Sequence, residues 1–337
     1  MSFNTQSDDL SAPRGSSFEP LIRRTKVSVV GAGAVGATMA YALLMRGVAR
    51  EVALYDINKA KVEAEALDLA HGIQFMPQAE VTGSDDIEVV RGSDVVLVTA
   101  GAKQRPGQSR LELAESTISL TKKVLPQLLE VAPDAIYIMV TNPVDVVTYA
   151  ALQISGLPPH RLFGSGTVLD SSRLRYLIAE HTGVAVQNVH AYMVGEHGDS
   201  EIPLWSSATI GGAPLLDWDS LEDGRGQLGD QARAAIAYEV VNSAYRIIEG
   251  KGATNYAVAL AGSRIVEAVL QDQHAVLPVS TLLENYYGIS QVCLSVPSVV
   301  GKDGILHRIE VPLSAAELRG LQASAESLRQ AALSIGL

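Results

Sequence analysis

The stretch that most restricts what this chain can fold into is KVSVVGAGAVGATMAYALLMRG, residues 26–47. A β-branched run leads straight into Gly31, Gly33 and Gly36, spaced G-x-G-x-x-G, and an apolar helical run follows and closes on Gly47. Glycine-rich hexapeptides are common in ordinary turns. Placed between a strand and a helix, this one has the context of a dinucleotide fingerprint. Gly31 permits the tight turn, Gly33 lets backbone approach a pyrophosphate, and Gly36 lets helix and strand pack closely. The free N–H groups of the helix start then face the phosphates. Asp56 ends the next strand-like run, EVALYD, 20 residues after Gly36. A carboxylate there accepts hydrogen bonds from both ribose hydroxyls and repels a 2′-phosphate, which favours NAD over NADP.

The alternation continues. DVVLVTAG (94–101) and AIYIMVTNP (135–143) are short apolar runs of the buried parallel-strand type, and INKAKVEAEALDLAHG and ELAESTISLTKKVLPQLLEVA have helical periodicity. This rhythm predicts an α/β fold with a Rossmann-type doubly wound parallel sheet over residues 24–165. Past about residue 165 the rhythm changes. DSSRLRYLIAEHTG is helix-like, NVHAYMVGEHG and CLSVPSVVGKDGILHRIE suggest antiparallel strands, and Ser314 and Glu317 form a capping box before a long amphipathic helix. Residues 166–337 are therefore expected to form an α+β substrate and catalytic domain with antiparallel strands.

Residues 1–23 are rich in Ser, Asp and Pro and are expected to be a flexible arm. They carry acids where a secretory signal would carry bases and an apolar run. A net charge of −11 argues against a nucleic-acid partner, and no apolar run reaches the roughly 18 residues of a membrane span. The single cysteine, Cys293, cannot form an internal disulfide and suits a reducing, cytoplasmic compartment.

Several polar residues fall where such a sheet gathers ligands, at the carboxyl ends of strands. Asn142, in VTNPVD, is placed to donate to a nicotinamide or a substrate oxygen, or simply to make an Asn-Pro turn. TAGAKQRPGQSR (99–110) has the composition of a mobile lid ending at Arg110, or of a surface loop. Asp170 and Arg173, three apart at a helix start, share a face, whereas Arg175 points elsewhere. His197, in AYMVGEHGDSEIP (191–203), is taken alone a histidine in a polar turn. His71, His160, His181, His274 and His307 show no paired ligand spacing, so no metal site is expected.

Together, GAGAVG with Asp56, AGAKQRPGQSRLEL, VTNPVD, LDSSRLR, GEHGDSEIPLW and KGATNYA resemble the lactate/malate dehydrogenase family, in order over roughly residues 25–330, and most closely its bacterial L-lactate members. The resemblance implies that His197 exchanges a proton with the substrate oxygen while hydride passes to or from NAD. It implies that Asp170 fixes the imidazole tautomer, Arg173 grips the substrate carboxylate, and Arg110 polarises the carbonyl. Thr254 corresponds to a residue lining the far side of the pocket. Val35, Lys61, Gly101, Ala102, Val140 and Asn142 stand where the family touches NAD.

Within the family, the lid residue facing the substrate side group separates lactate from malate enzymes. Here it is Gln104, whose neutral amide leaves a second carboxylate unpartnered and suits pyruvate. A one-residue slip would bring Arg105 there, which keeps malate as the alternative. Arg175 and His190 match the pair that binds fructose 1,6-bisphosphate in activatable bacterial members, and a homotetramer is likewise implied. A non-catalytic dinucleotide sensor is the remaining alternative, but it would not need His197, Asp170, Arg173 and Arg110 all intact. Thr117 departs from the family's usual asparagine, and no ligand role is carried over to it.

Overall fold

The structure is a computed structural model that describes residues 24–102, 110–220 and 226–337. The arm expected over residues 1–23 and the positions Gln104 and Arg105 lie outside the described residues. The first half runs β1 (Lys26–Val30), α1 (Ala34–Met45), β2 (Glu51–Tyr55), α2 (Lys59–His71), β3 (Glu80–Ser84), β4 (Val95–Val98), α3 (Arg110–Val131), β5 (Ile136–Met139), α4 (Val144–Ser155) and β6 (Leu162–Gly164). These six strands pair in parallel in the order β3-β2-β1-β4-β5-β6. The order reverses between β1 and β4, which opens a crevice at their carboxyl ends.

Strand alternation divides the core. Val96, Val98, Tyr137 and Met139 face one side of the sheet, and Val95, Leu97, Ile136 and Ile138 face the other; each set joins a separate buried apolar cluster. Because β4 and β5 are covered on both faces, they read as unbroken apolar runs. β3, EVTGS, escapes that pattern because it is the edge strand, with no fully buried residue.

The second half runs α5 (Val168–Thr182), β7 (Val189–His190), β8 (Met193–Val194), β9 (Ile202–Pro203), β10 (Thr209–Ile210), β11 (Ala213–Pro214), α6 (Asp230–Lys251), α7 (Tyr256–Leu270), β12 (Ala275–Leu282), β13 (Cys293–Gly301), β14 (Gly304–Arg308) and α8 (Ala315–Ser334). The antiparallel strands expected from the sequence are present. The longest, β12 and β13, join the parallel sheet: β12 pairs with β6 through Ser280 and Gly164, giving nine strands in one sheet. The short strands β7, β10 and β11 form a small sheet of their own beside α5 and α6, and β8 pairs with β9. The capping box of α8 is formed, with Ser314 Oγ accepting from Glu317 N and Glu317 accepting from Ser314 N. Cys293 is buried in β13. Among the described residues, no helix is long and apolar enough to cross a membrane.

The glycine turn is built as its spacing requires. Gly31 has φ +102°, and Gly36 packs so closely that a Cβ on it would lie 1.8 Å from the Gly31 carbonyl oxygen. Since that neighbour is backbone, no side-chain rotation relieves the contact. Gly36→Ala is expected to cost at least about 3 kcal/mol, or to prevent folding, and denaturant unfolding measures the loss.

Candidate active site

His197 reaches its place because the segment before it is held along its length. β8 leads into Gly195, which exchanges two backbone hydrogen bonds with Ser295 of β13. Glu196 N donates to Ser324 Oγ at 2.8 Å, and His197 N donates to Asp145 Oδ2 at 2.7 Å. The imidazole then meets Asp170, in the first turn of α5, where Nδ1 donates to Oδ2 at 2.6 Å. On the same helix face, Arg173 Nη1 donates to Asp170 Oδ1, also at 2.6 Å. Asp170 is 2% exposed, against 23% for the His197 side chain, so the carboxylate is interior and the imidazole looks outward.

It looks into a pocket of about 220 Å3. Asn142, Asp170, Arg173 and His197 line it, with Leu113 of α3 and Tyr245 and Ile248 of α6 closing the apolar side. Residues about 55 positions apart in the chain, from Asn142 to His197, therefore converge. Thr254 is half-buried just before α7 and is not among the residues lining this pocket. Arg110 opens α3, next to the wall that Leu113 supplies.

The electrostatics follow from burial and pairing. Burial alone would raise the Asp170 carboxyl, but the charge and hydrogen bond of His197, then Arg173, hold it below its ordinary range. Burial alone would lower the imidazole of His197; Asp170, with help from Asp145, overcomes this and raises it. An acidic partner thus keeps the ring protonated to higher pH than in water. Its hydrogen bond also fixes the tautomer, leaving Nε2 as the atom free to face the pocket.

Two residues of this centre carried no role in the sequence reading. Asp145, in the first turn of α4, is buried, and burial pushes its acid up to about 6. It anchors the backbone of His197, and its place in VTNPVD at a strand end was the available signal. Glu201 is also buried in the pocket wall, four residues after His197. Asp170, His197 and Glu201 bring metal-type ligand atoms within 4.8 Å of one another, but Arg173 already supplies a cation to Asp170.

The glycine crevice lies at the carboxyl ends of β1, β2 and β4. Gly33 caps α1 and contributes no side chain there, and the space its Cβ would take is open. Asp56 Oδ2 accepts from Ala32 N at 2.7 Å and Oδ1 from Asn58 N at 2.9 Å. Each oxygen of a carboxylate has two acceptor sites, so capacity remains for a diol. Val35 is half-buried on α1, Lys61 is exposed on α2, and Gly101, Ala102, Val140 and Asn142 follow β4 and β5. Thr117 is fully buried in α3, and its Oγ1 accepts from Ala102 N at 3.3 Å. The hydroxyl therefore ties down the chain as it leaves β4.

Arg175 does turn away from the pocket. Its Nε donates to Ala191 O at 2.9 Å, and its guanidinium lies 5.0 Å from the centre of the Tyr192 ring. His190 is exposed on β7 and pairs in register with Thr209 of β10.

This geometry is matched by a family already described. Residues 25–164 match the model of the lactate/malate dehydrogenase NAD-binding domain, and residues 167–334 match its alpha/beta C-terminal domain. The chain belongs to the lactate/malate dehydrogenase family. Its cofactor is NAD. It is 56% identical over 315 residues to an L-lactate dehydrogenase of Bifidobacterium animalis subsp. lactis, covering 94% of this chain and 98% of that protein. It is 47% identical to an L-lactate dehydrogenase of Thermoanaerobacter pseudethanolicus, covering 90% of this chain and 97% of that one. Among solved structures it resembles the ligand-bound minor L-lactate dehydrogenase of Enterococcus mundtii, with a TM-score of 0.89, 37% identity and 93% and 99% coverage. A lactate dehydrogenase from a Medee basin deep-sea metagenome library matches with a TM-score of 0.89 and 36% identity, covering 94% of this chain and all of that one.

As a family dehydrogenase whose imidazole is backed by a buried carboxylate, the protein should show a His197 titration that depends on Asp170. Asp170→Asn removes the negative charge that favours imidazolium while burial continues to oppose it. The midpoint of His197, followed by NMR of the ring, should fall by about one to three pH units.

Proposed function

We propose that this dehydrogenase interconverts pyruvate and L-lactate, with His197 as proton donor and acceptor. The observation that carries this is the hydrogen-bonded series Arg173–Asp170–His197 opening on one pocket. The strong identity to proteins named L-lactate dehydrogenase over nearly the whole chain supports the substrate.

Gly33 and the free N–H groups at the start of α1 would hold the pyrophosphate of NAD, with Gly31 and Gly36 shaping the turn, and Asp56 would take the ribose hydroxyls. Val35, Lys61, Gly101, Ala102, Val140 and Asn142 complete that surface. When bound, NADH supplies the hydride that adds to the carbonyl carbon of pyruvate, and NAD⁺ accepts it in the reverse direction. Arg173 anchors the substrate carboxylate with the donors that Asp170 leaves free. Arg110 stabilises the negative charge that develops on the carbonyl oxygen, and His197 delivers its Nε2 proton to that oxygen. Asp170 stabilises the imidazolium beforehand and holds the ring for the proton's return. Asn142 donates from the pocket lining, and Gln104 selects for the methyl group; Thr254 lies outside that lining.

Because reduction needs protonated His197 and oxidation needs the neutral ring, pyruvate reduction should decline as pH rises through the elevated imidazole midpoint, while lactate oxidation climbs. Gln104→Arg should raise the oxaloacetate-to-pyruvate ratio of kcat/KM by at least about tenfold, since a second carboxylate gains a partner. Steady-state NADH oxidation with each acid measures it, and an unchanged ratio would place Gln104 outside the pocket.

The reading extends to regulation. Arg175 and His190 from two copies of a symmetric tetramer meet the phosphates of fructose 1,6-bisphosphate. What supports it is the orientation of Arg175 away from the substrate pocket, with His190 exposed on the strand that leads toward His197. The sugar bisphosphate should lower the half-saturating pyruvate concentration about fivefold or more, and His190→Ala should abolish the shift. Saturation curves recorded with and without it decide the matter.

A further inference from the structure

The centre holds more acid than its cations balance. Asp145 arrives from α4, Asp170 and Arg173 from α5, and Glu201 from the segment between His197 and β9. From α6, Tyr245 donates its hydroxyl to Asp199 at the rim, at 2.7 Å. Asp145 has the amide of His197 as a donor, and Asp170 has both His197 and Arg173. Glu201 is 7% exposed, and its buried Oε2 finds no donor; Asp145 Oδ1 is likewise buried without one, but Asp145 keeps a donor on its other oxygen. An ionised carboxylate in that position would be an unpaired buried charge beside a second carboxylate, the costliest arrangement open to it.

The contradiction disappears if the group is itself a donor. We propose that Glu201 stays a carboxylic acid in the working enzyme and that its O–H donates to Asp170, as a positioning residue for the Asp170–His197 pair. The ligand atoms of Asp170, His197 and Glu201 lie within 4.8 Å of one another, and the carboxyl groups of Glu201 and Asp170 are hydrogen-bond neighbours. Asp170 can accept a third hydrogen bond, because two of its roughly four acceptor sites are taken. Burial first, and then the charge of Asp170, push the acid of Glu201 well above the usual carboxylate range.

The consequence concerns how strongly Asp170 holds the imidazolium. A carboxylate that accepts from Arg173, His197 and an uncharged acid is less basic than one that accepts from the first two alone. Glu201 therefore moderates the proton affinity of His197 without adding charge. This functional consequence rests on His197 being the proton-transfer group; the protonation state of Glu201 does not.

The direct test is infrared. The full-length protein at pH 7 is compared with Glu201→Gln, or with Glu201→Ala should the amide fail to fold. The difference spectrum should contain the C=O stretch of a protonated carboxyl group, lost in the variant. If only carboxylate bands are lost, the proposal is wrong. The second readout is the pH profile of NADH-dependent pyruvate reduction in Glu201→Gln, whatever the effect on kcat. Replacing one neutral donor by another should leave the midpoint within about 0.3 pH unit, whereas removing an adjacent negative charge would lower it by about one unit. The spectrum requires no turnover, so an enzyme inactive with pyruvate would count against the substrate reading alone.

Discussion

Everything the site does passes through one carboxylate. Asp170 is almost wholly buried, and its two oxygens are divided between an imidazole and a guanidinium. A lone carboxylate in that position would be prohibitively expensive, and so would either cation by itself; each is tolerable because the others are there. The arrangement is also directional. With Nδ1 committed to Asp170, the histidine has one remaining nitrogen to offer. With Arg173 tethered three residues along the same helix, a guanidinium stands at a fixed separation from that nitrogen.

The architecture makes the crevice and the buried polar centre from different physical sources. The glycine crevice is made by topology and by missing side chains. Parallel strands reverse order between β1 and β4, and glycines clear the turn that precedes α1. The chemical centre is made by long-range pairing instead. α5 provides Asp170 and Arg173, and a loop fastened to β13, α4 and α8 provides His197. α6 covers the opening with apolar side chains, which lowers the local dielectric and strengthens each charge interaction beneath it.

The contrast explains what could be seen in the sequence. The glycine spacing, the apolar runs of β1, β4 and β5, and the Asp170–Arg173 interval are local patterns, and each became the structure it suggests. β3 is not legible because an edge strand need not be apolar, and EVTGS carries a glycine and polar residues. α6 is not legible although it walls the pocket, since its buried positions are few. His197 was ambiguous in isolation because its partner lies 27 residues away and its backbone anchor 52 away. Asp145 in VTNPVD and Glu201 in GEHGDSEIPLW are not legible as functional, because burial and the company of other acids give them their character, and both are properties of the folded chain. Thr117 has no local signal either, since its hydroxyl acts on Ala102, 15 residues earlier in the chain.

The junction of β6 with β12 has a mechanical meaning. Hydrogen bonding continues without a break from β3 at one margin to β14 at the other, and Thr167 N reinforces the seam by donating to Pro278 O. Swinging the two halves apart like the jaws of a clamp would therefore have to break sheet hydrogen bonds along that seam.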